Sequence, residues 1–103
     1  MSEKKTILIT GATDGIGFET AKLLVSNGHN LLIHGRNENK LQEVVKQLTL
    51  LSNDSTIKSY LADLSSIKDV KELASNILKE NQKIDVIINN AGVFKTANTR
   101  TVD

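Results

Sequence analysis

The stretch of this sequence best suited to chemistry is a glycine-rich turn that follows a short apolar run. Ile7-Leu8-Ile9 is typical of a buried parallel strand, and Gly11, Gly15 and Gly17 follow it before a helical pattern begins. A helix N-terminus presents unpaired N–H groups and about half a positive charge, so it attracts anions. Glycine lets the backbone approach a ligand closely because it has no Cβ. The turn is therefore predicted to hold the pyrophosphate of a dinucleotide.

The spacing of the glycines distinguishes between kinds of phosphate site. A P-loop needs a lysine after its second glycine, and no lysine follows Gly15 or Gly17. The common dinucleotide fingerprint is G-x-G-x-x-G, whereas this chain has G-x-x-x-G-x-G preceded by Thr10. Taken alone, the stretch fits an ordinary turn between a strand and a helix equally well, so the rest of the chain must decide.

Arg36 bears on which dinucleotide would bind. In NAD-binding units an acidic residue about 20 positions past the glycine turn bonds the ribose hydroxyls. Gly35 occupies that position here and Arg36 follows it. A guanidinium can hold a 2′-phosphate with a fork of N–H groups, and a helix capped by Asn37 would add positive potential, with Lys40 nearby. These residues predict NADP(H) rather than NAD(H) as the cofactor.

Strands and helices that would position these residues alternate along the chain. Apolar runs predict strands at 7–9, 30–34, 56–61 and 83–88, and the segments between them have helical periodicity. The first helix is predicted over 15–27, ending before Gly28, the second after Asn37, and the third after Ser66, which forms a capping box with Asp69. The order βαβαβαβ predicts an α/β fold, a three-layer Rossmann-type parallel sheet with strand order 3-2-1-4.

Each predicted helix has an apolar face that we expect to cover the sheet. The three sets are Ile16, Thr20, Leu23, Leu24 and Val25; Leu41, Val44, Val45 and Leu48; and Ile67, Val70, Leu73, Ala74, Ile77 and Leu78. Every motif with a chemical role follows a strand, at 10–17, 35–36, 62–64 and 89–92. Because parallel strands end at one edge of a sheet, we expect these motifs to converge on one rim.

Together these motifs resemble the N-terminal part of the short-chain dehydrogenase/reductase family. They are Thr10-Gly-Ala-Thr-Asp-Gly-Ile-Gly17, then Asp63, then Asn89-Asn-Ala-Gly92, and the resemblance covers nearly the whole chain. The tail at 98–103 resembles the retinol-dehydrogenase-like branch. The chain is thus expected to form a single partial NADP-binding domain over 1–103, incomplete relative to the full family domain.

The resemblance implies a role for each matching residue. Gly11, Gly15 and Gly17 would shape the turn, and the backbone from Asp14 to Ile16 would hold the pyrophosphate. Thr13 and Asp14 could reach the adenosine ribose, and Asp63 would accept from the adenine amino group with Leu64 beside the ring. Asn89 and Asn90 would have a double role, a structural share that ties strand 4 to its neighbours and a share in cofactor binding, in which Asn90 takes part. Ala91 and Gly92 would lie against the ribose. For Asp14, a solvated charge or a helix cap is an equally good interpretation.

The family transfers hydride between a nicotinamide and a carbonyl or alcohol carbon, using a serine, a tyrosine and a lysine. The tyrosine and lysine form a Tyr-x-x-x-Lys motif, and the sole tyrosine here, Tyr60, is not in one. We therefore expect cofactor binding but no turnover from these residues alone, whether they are a fragment or a stand-alone remnant. The alternative is a non-enzymatic nucleotide-binding or assembly module. Strand 4 would leave an open apolar edge, which favours self-association.

Composition bears on the other classes of function. The 103 residues carry a net charge of +1 with one Tyr and two Phe, which gives no case for nucleic acid. There is no cysteine, and His29 and His34 lack the spacing of a metal site, so both are interpreted as structural. No apolar run reaches the length of a membrane span and no secretion signal is recognisable. A cytoplasmic protein without membrane contact is expected.

Overall fold

The structure, a computed structural model, describes residues 4–52, 54–81 and 83–90. The strands are β1 (Thr6–Thr10), β2 (Asn30–Gly35), β3 (Ile57–Leu61) and β4 (Val86–Asn89). The helices are α1 (Gly15–Ser26), α2 (Glu38–Leu51) and α3 (Ile67–Glu80). All neighbouring strands are parallel and their order is β3-β2-β1-β4, which confirms the predicted topology.

The sheet buries a different set of side chains on each face because alternate residues of a strand point in opposite directions. Ile7, Ile9, Leu31 and Ile33 pack against α1 and α2. Leu8 and Leu32 point the other way and pack with Tyr60 and with Ile77 of α3. The result is the predicted three layers, with two helices on one face of the sheet and one on the other.

The predicted helix ends are confirmed. The side chain of Asn37 accepts a hydrogen bond from the Lys40 N–H at 3.0 Å and caps α2. Ser66 caps α3 by accepting from the Asp69 N–H at 3.2 Å. The predicted capping box is only half formed, because the Asp69 carboxylate accepts from the Asp63 N–H and the Ser66 N–H donates to the Asp63 carbonyl oxygen. Gly28 follows α1 with φ of 90°, the left-handed conformation that glycine adopts with least strain. β4 begins at Val86, so residues 83–85 of the predicted strand at 83–88 precede it and the strand is shorter than expected.

The predicted apolar face of α1 is wrong at two positions. Ile16 and Leu23 have exposed fractions of 77% and 65%, whereas Gly17, Ala21 and Val25 are the buried residues. These three recur every fourth position and are small, so they let the helix lie close to the sheet and the glycine turn. A large apolar side chain is the usual signal for a buried face, and here close backbone approach takes its place.

The expectation that the whole apolar face of α3 covers the sheet is also wrong. Ile77 is buried and Leu73 partly buried, but Ile67, Val70 and Leu78 are exposed. Only the part of the stripe around Leu73 and Ile77 therefore packs with the sheet. Among the described residues no helix is long and apolar enough to cross a bilayer.

Candidate functional site

The carboxyl ends of all four strands form one edge of the sheet, as the parallel arrangement requires. We call this edge the carboxyl ridge, comprising 10–17, 35–37, 62–64 and 89–90. Direct contacts join its parts: Asn90 to Gly11, Gly11 to His34, and Ala62 to both His34 and Gly35. The predicted convergence of distant segments on one rim is therefore confirmed, up to the end of the described residues.

The glycine turn has a backbone that other residues would strain. Gly11 and Gly15 have φ of 64° and 52°, in the left-handed region. Gly17 is needed for a different reason, since a Cβ there would overlap the carbonyl oxygen of Gly11 and lie 2.7 Å from Nδ2 of Asn90. The start of α1 is thus pressed directly against the turn and against the end of β4.

The N-terminus of α1 is left open. Asp14 occupies the N-cap position but its side chain makes no capping hydrogen bond, and the first turn contains no acidic residue. The carboxylate instead pairs with Lys40, whose Nζ lies 3.2 Å from Oδ1 and 3.4 Å from Oδ2. The first N–H groups of α1 consequently face the ridge without a side-chain cap, which is the arrangement that binds an anion.

Asn89 and Asn90 tie the glycine turn to β4. Oγ1 of Thr10 donates to Oδ1 of Asn89 at 3.0 Å, and Nδ2 of Asn90 donates to the carbonyl oxygen of Gly11 at 3.0 Å. The structural share of the role implied by the resemblance is therefore present. The other two residues of that motif, Ala91 and Gly92, lie outside the described residues.

Gly35 and Arg36 stand at the end of β2 with opposite environments. Gly35 is buried, and a Cβ there would lie 2.7 Å from Cγ2 of Thr13 and 3.3 Å from Cδ1 of Leu41. Arg36 is exposed on the ridge, directly before the N-terminus of α2. The side chain of Thr13 thus fills the space that an acidic side chain at position 35 would need. The first side chain after Gly35 is the guanidinium of Arg36.

Asp63 lies in a tight turn at the end of β3. Its Oδ1 accepts from the backbone N–H and from the hydroxyl of Ser65, at 3.0 and 2.7 Å. These two bonds, aided by the positive charge of Arg36, hold the pKa of the Asp63 carboxyl below its ordinary value. A carboxylate has about four acceptor positions, so this turn leaves capacity for another donor. Leu64 beside it is partly exposed.

His34, in β2 next to the carboxyl ridge, makes contacts with the ridge that the sequence did not reveal. Its Nδ1 accepts from the Gly11 N–H at 3.0 Å, and its Nε2 lies 2.9 Å from the carbonyl oxygen of Ala62. A buried polar residue at the end of an apolar strand is the signal that could have suggested such a role. The interpretation of His34 as structural, outside a metal site, fits these contacts.

Tyr60 is placed away from any proton-transfer role on the ridge. It is buried in the layer between the sheet and α3, where its hydroxyl donates to Oε1 of Glu80 at 2.8 Å and accepts from Nδ2 of Asn81 at 3.0 Å. Burial is the main cause that raises the pKa of this phenol. Its hydroxyl is therefore committed to the C-terminal end of α3.

Comparison with known proteins gives the same family throughout. The family model for the short chain dehydrogenase matches residues 5–103. Retinol dehydrogenase 13 of Homo sapiens is 33% identical over 99 residues, which cover 96% of this chain and 30% of that protein. The chain thus spans about a third or less of such a relative, and the expected retinol-dehydrogenase-like branch is confirmed by this match and by that to human retinol dehydrogenase 11.

Solved structures agree with the fold. A short-chain dehydrogenase from Sphingobium yanoikuyae in complex with NADPH has a TM-score of 0.77 and 30% identity, covering 92% of this chain and 37% of that one. A metagenomic short-chain oxidoreductase in complex with NADP has a TM-score of 0.76 and 30% identity, covering 86% of this chain and 39% of that one.

Proposed function

Because this chain belongs to the short chain dehydrogenase family, we propose that its carboxyl ridge binds NADP(H) as the cofactor-holding part of an oxidoreductase. When bound, the nicotinamide would exchange a hydride with a carbonyl or alcohol carbon of the substrate. The residues of this chain would hold and orient the dinucleotide. Its one tyrosine is engaged beneath α3, so we propose that these 103 residues perform no turnover by themselves.

One observation supports NADP(H) over NAD(H) more than any other. The side chain of Thr13 occupies the space beside Gly35, so the ribose-binding acid of NAD-specific units could not be placed there unless the Thr13 side chain moved. Arg36 is the exposed side chain that follows. An acid would repel a 2′-phosphate, whereas a guanidinium can bind it through two parallel hydrogen bonds. The bound cofactors of the Sphingobium and metagenomic relatives are in line with this choice.

The remaining proposed roles combine position on the ridge with the roles that the family resemblance implies. The open N-terminus of α1 would receive the pyrophosphate, because its N–H groups are uncapped and no acid lies in its first turn. Asp63 would accept from the adenine amino group with Leu64 against the ring. Lys40 neutralises Asp14, so the acid beside the turn does not oppose an anionic ligand with its full charge.

The experiment compares two charge-reversing variants. Arg36→Asp should weaken NADPH binding by about 10-fold to 100-fold, the loss expected for a charge-assisted hydrogen-bonded pair, while NADH binding changes little. Lys46→Asp makes the same change of charge on an exposed residue in the middle of α2 and should leave both affinities close to wild type. Dissociation constants come from titration at fixed ionic strength. Equal losses for both dinucleotides in Arg36→Asp would remove the NADP(H) assignment.

We also propose that the chain associates with a second copy through β4. This strand pairs with β1, and among the described residues no strand lies on its other side. Ile87 and Val86 of this strand are 63% and 39% exposed. An open apolar edge is a template for pairing with another chain.

Sedimentation velocity over a range of concentrations measures this association directly. Ile87→Lys should shift the protein toward monomer, whereas Ile67→Lys, on the exposed side of α3, should not. A wild-type protein that is monomeric at every concentration would contradict the proposal.

A cytoplasmic location stays a prediction from the sequence.

A further inference from the structure

Two segments of the carboxyl ridge, 10–17 and 62–64, meet at the side chain and backbone of one residue, His34. Its Nδ1 accepts from the N–H of Gly11, and its Nε2 faces the carbonyl oxygen of Ala62. Its own carbonyl oxygen accepts from the N–H of Ala12 at 2.9 Å. The residue is 3% exposed, so water cannot readily replace any of these partners. His34 therefore links the end of β1 to the end of β3 across β2.

The chemistry of the ring fixes how it is protonated in this arrangement. An imidazole nitrogen that accepts from an N–H carries no hydrogen, so Nδ1 is the bare nitrogen. The hydrogen then lies on Nε2 and is donated to the Ala62 carbonyl oxygen. One neutral imidazole thus presents an acceptor to the glycine turn and a donor to the loop that begins at Ala62.

We propose that His34 is a positioning residue for dinucleotide binding. It holds the glycine turn, where the pyrophosphate would bind, at a fixed distance from the Ala62–Leu64 loop, where the adenine would bind. This inference rests on the proposed function, because it concerns the affinity of the same ridge. His34 itself does not face the ligand and acts through Gly11 and Ala62.

A buried histidine that only fills space would behave differently. In that case any side chain of similar size would serve equally well, and the identity of the two ring nitrogens would not matter. If His34 positions the ridge, each nitrogen has a separate task. Asparagine places an acceptor near the Nδ1 position, and glutamine places a donor near the Nε2 position, so the two variants divide the link into its halves.

The experiment measures NADPH affinity and thermal stability in the same samples of the full chain. His34→Ala leaves the partly buried Gly11 N–H without its histidine acceptor, and we expect NADPH affinity to fall about tenfold or more. His34→Asn and His34→Gln should each recover part of that affinity. Val25→Ala is the control, because it removes buried methyl groups at the far end of α1 and should lower stability while leaving affinity unchanged.

The outcomes separate this inference from the proposed function. If the wild-type chain binds neither NADPH nor NADH, the proposed function fails. If the wild type binds NADPH but His34→Ala matches Val25→Ala in affinity, or neither polar variant exceeds His34→Ala, the positioning role is overturned. Nitrogen NMR of the imidazole tests the link without any ligand: hydrogen on Nε2 and slow exchange of the Gly11 amide support it, and hydrogen on Nδ1 contradicts it.

Discussion

The junction between β1 and α1 differs from the junction between β3 and α3 in how the first N–H groups of the helix are satisfied. At α3, Ser66 caps the helix and Asp69 turns back to accept from the Asp63 N–H at 3.0 Å. At α1, the N-cap residue Asp14 makes no capping bond and its carboxylate is paired with Lys40. Both junctions lie on the same ridge, yet one is closed by its own side chains and the other is open.

The difference favours the first junction over the second as the phosphate site of the proposed function. At the α3 junction the N–H groups of Asp63, Ser65, Ser66 and Asp69 are bonded within the junction, which also carries the carboxylates of Asp63 and Asp69, so it disfavours a phosphate. The α1 junction exposes N–H groups beside glycines that could not be replaced without strain or overlap. This contrast is in line with the proposed function, in which the pyrophosphate binds at the first junction and the adenine near the second.

The largest effect should come from a substitution that displaces the glycine turn at the open junction. Gly17→Ala places a methyl group against the Gly11 carbonyl oxygen and the Asn90 amide, so the turn must shift. We expect a loss of about 1–3 kcal/mol in the free energy of unfolding, together with loss of NADPH binding. Chemical denaturation and ligand titration measure the two.

The control for that variant is another glycine far from the ridge. Gly28→Ala strains a left-handed position by about 1–2 kcal/mol but meets no atom within 4 Å. It should therefore destabilise the chain and leave affinity intact. Wild-type affinity in folded Gly17→Ala would mean that the turn does not hold the pyrophosphate.

A smaller effect is expected at the closed junction. Ser66→Ala removes the cap of α3 and should cost about 1 kcal/mol of unfolding free energy. Because no ligand phosphate is assigned there, NADPH affinity should be that of wild type. Thermal stability and NADPH affinity of Ser66→Ala are measured together to check this. A loss of affinity in Ser66→Ala as large as that in Gly17→Ala would contradict the proposed difference between the two junctions.

The pair at the open junction should have a modest and opposite effect. Asp14→Asn removes a negative charge beside the turn and releases Lys40, so NADPH should bind about twofold to fivefold more tightly. Lys40→Gln should weaken it by a similar factor. Both effects should shrink at high salt because the pair is exposed. Titration with NADPH at two ionic strengths tests this. Tighter NADPH binding by Lys40→Gln would contradict the idea that the positive charge of Lys40 favours the anionic ligand.

The smallest effect on NADPH affinity is expected from Asp85, a carboxylate at the opposite end of the sheet from the ridge. It is therefore a control for the ridge variants. Oδ2 of Asp85 accepts from the Thr6 N–H at 2.9 Å, and this bond is the main cause that lowers the pKa of Asp85 below its ordinary value of 3.8. The resulting stabilisation is complete above that value and is lost as the pH falls through the lower folded pKa.

Asp85→Asn should therefore lower stability at neutral pH slightly and reduce the loss of stability on acidification below about pH 4. NADPH affinity at neutral pH should not change, because Asp85 is at the amino end of β4. Acid titration of the two proteins by circular dichroism provides the comparison. Identical acid transitions would show that the Thr6 bond contributes nothing.

Strand order, helix caps and the convergence of the ridge could be predicted from the sequence because each depends on local pattern or on parallel topology. Asn37 and Ser66 were recognisable as caps, and strands with helices between them allow few arrangements. The buried side of α1 could not be predicted from apolar pattern, because Gly17 and Ala21 are buried by close approach rather than by hydrophobic size.

Long-range contacts explain what the sequence left open at the site. His34 and Gly11 are 23 positions apart, and the bond between them depends on the register of β1 with β2. The pairing of Lys40 with Asp14 likewise requires α2 to begin beside the glycine turn. Residue types and spacing do not encode such distances directly, whereas they do encode the glycine turn itself.

The most direct test of the account is to map backbone amide shifts while the chain is titrated with NADPH. We predict that the largest changes occur at Gly15, Ile16 and Gly17, with smaller ones at Arg36 and Asp63 and almost none at the amino end of the sheet. Saturating changes centred on the first turn of α3, or on the amino end, with α1 unaffected, would contradict the assignment of the open junction as the dinucleotide site.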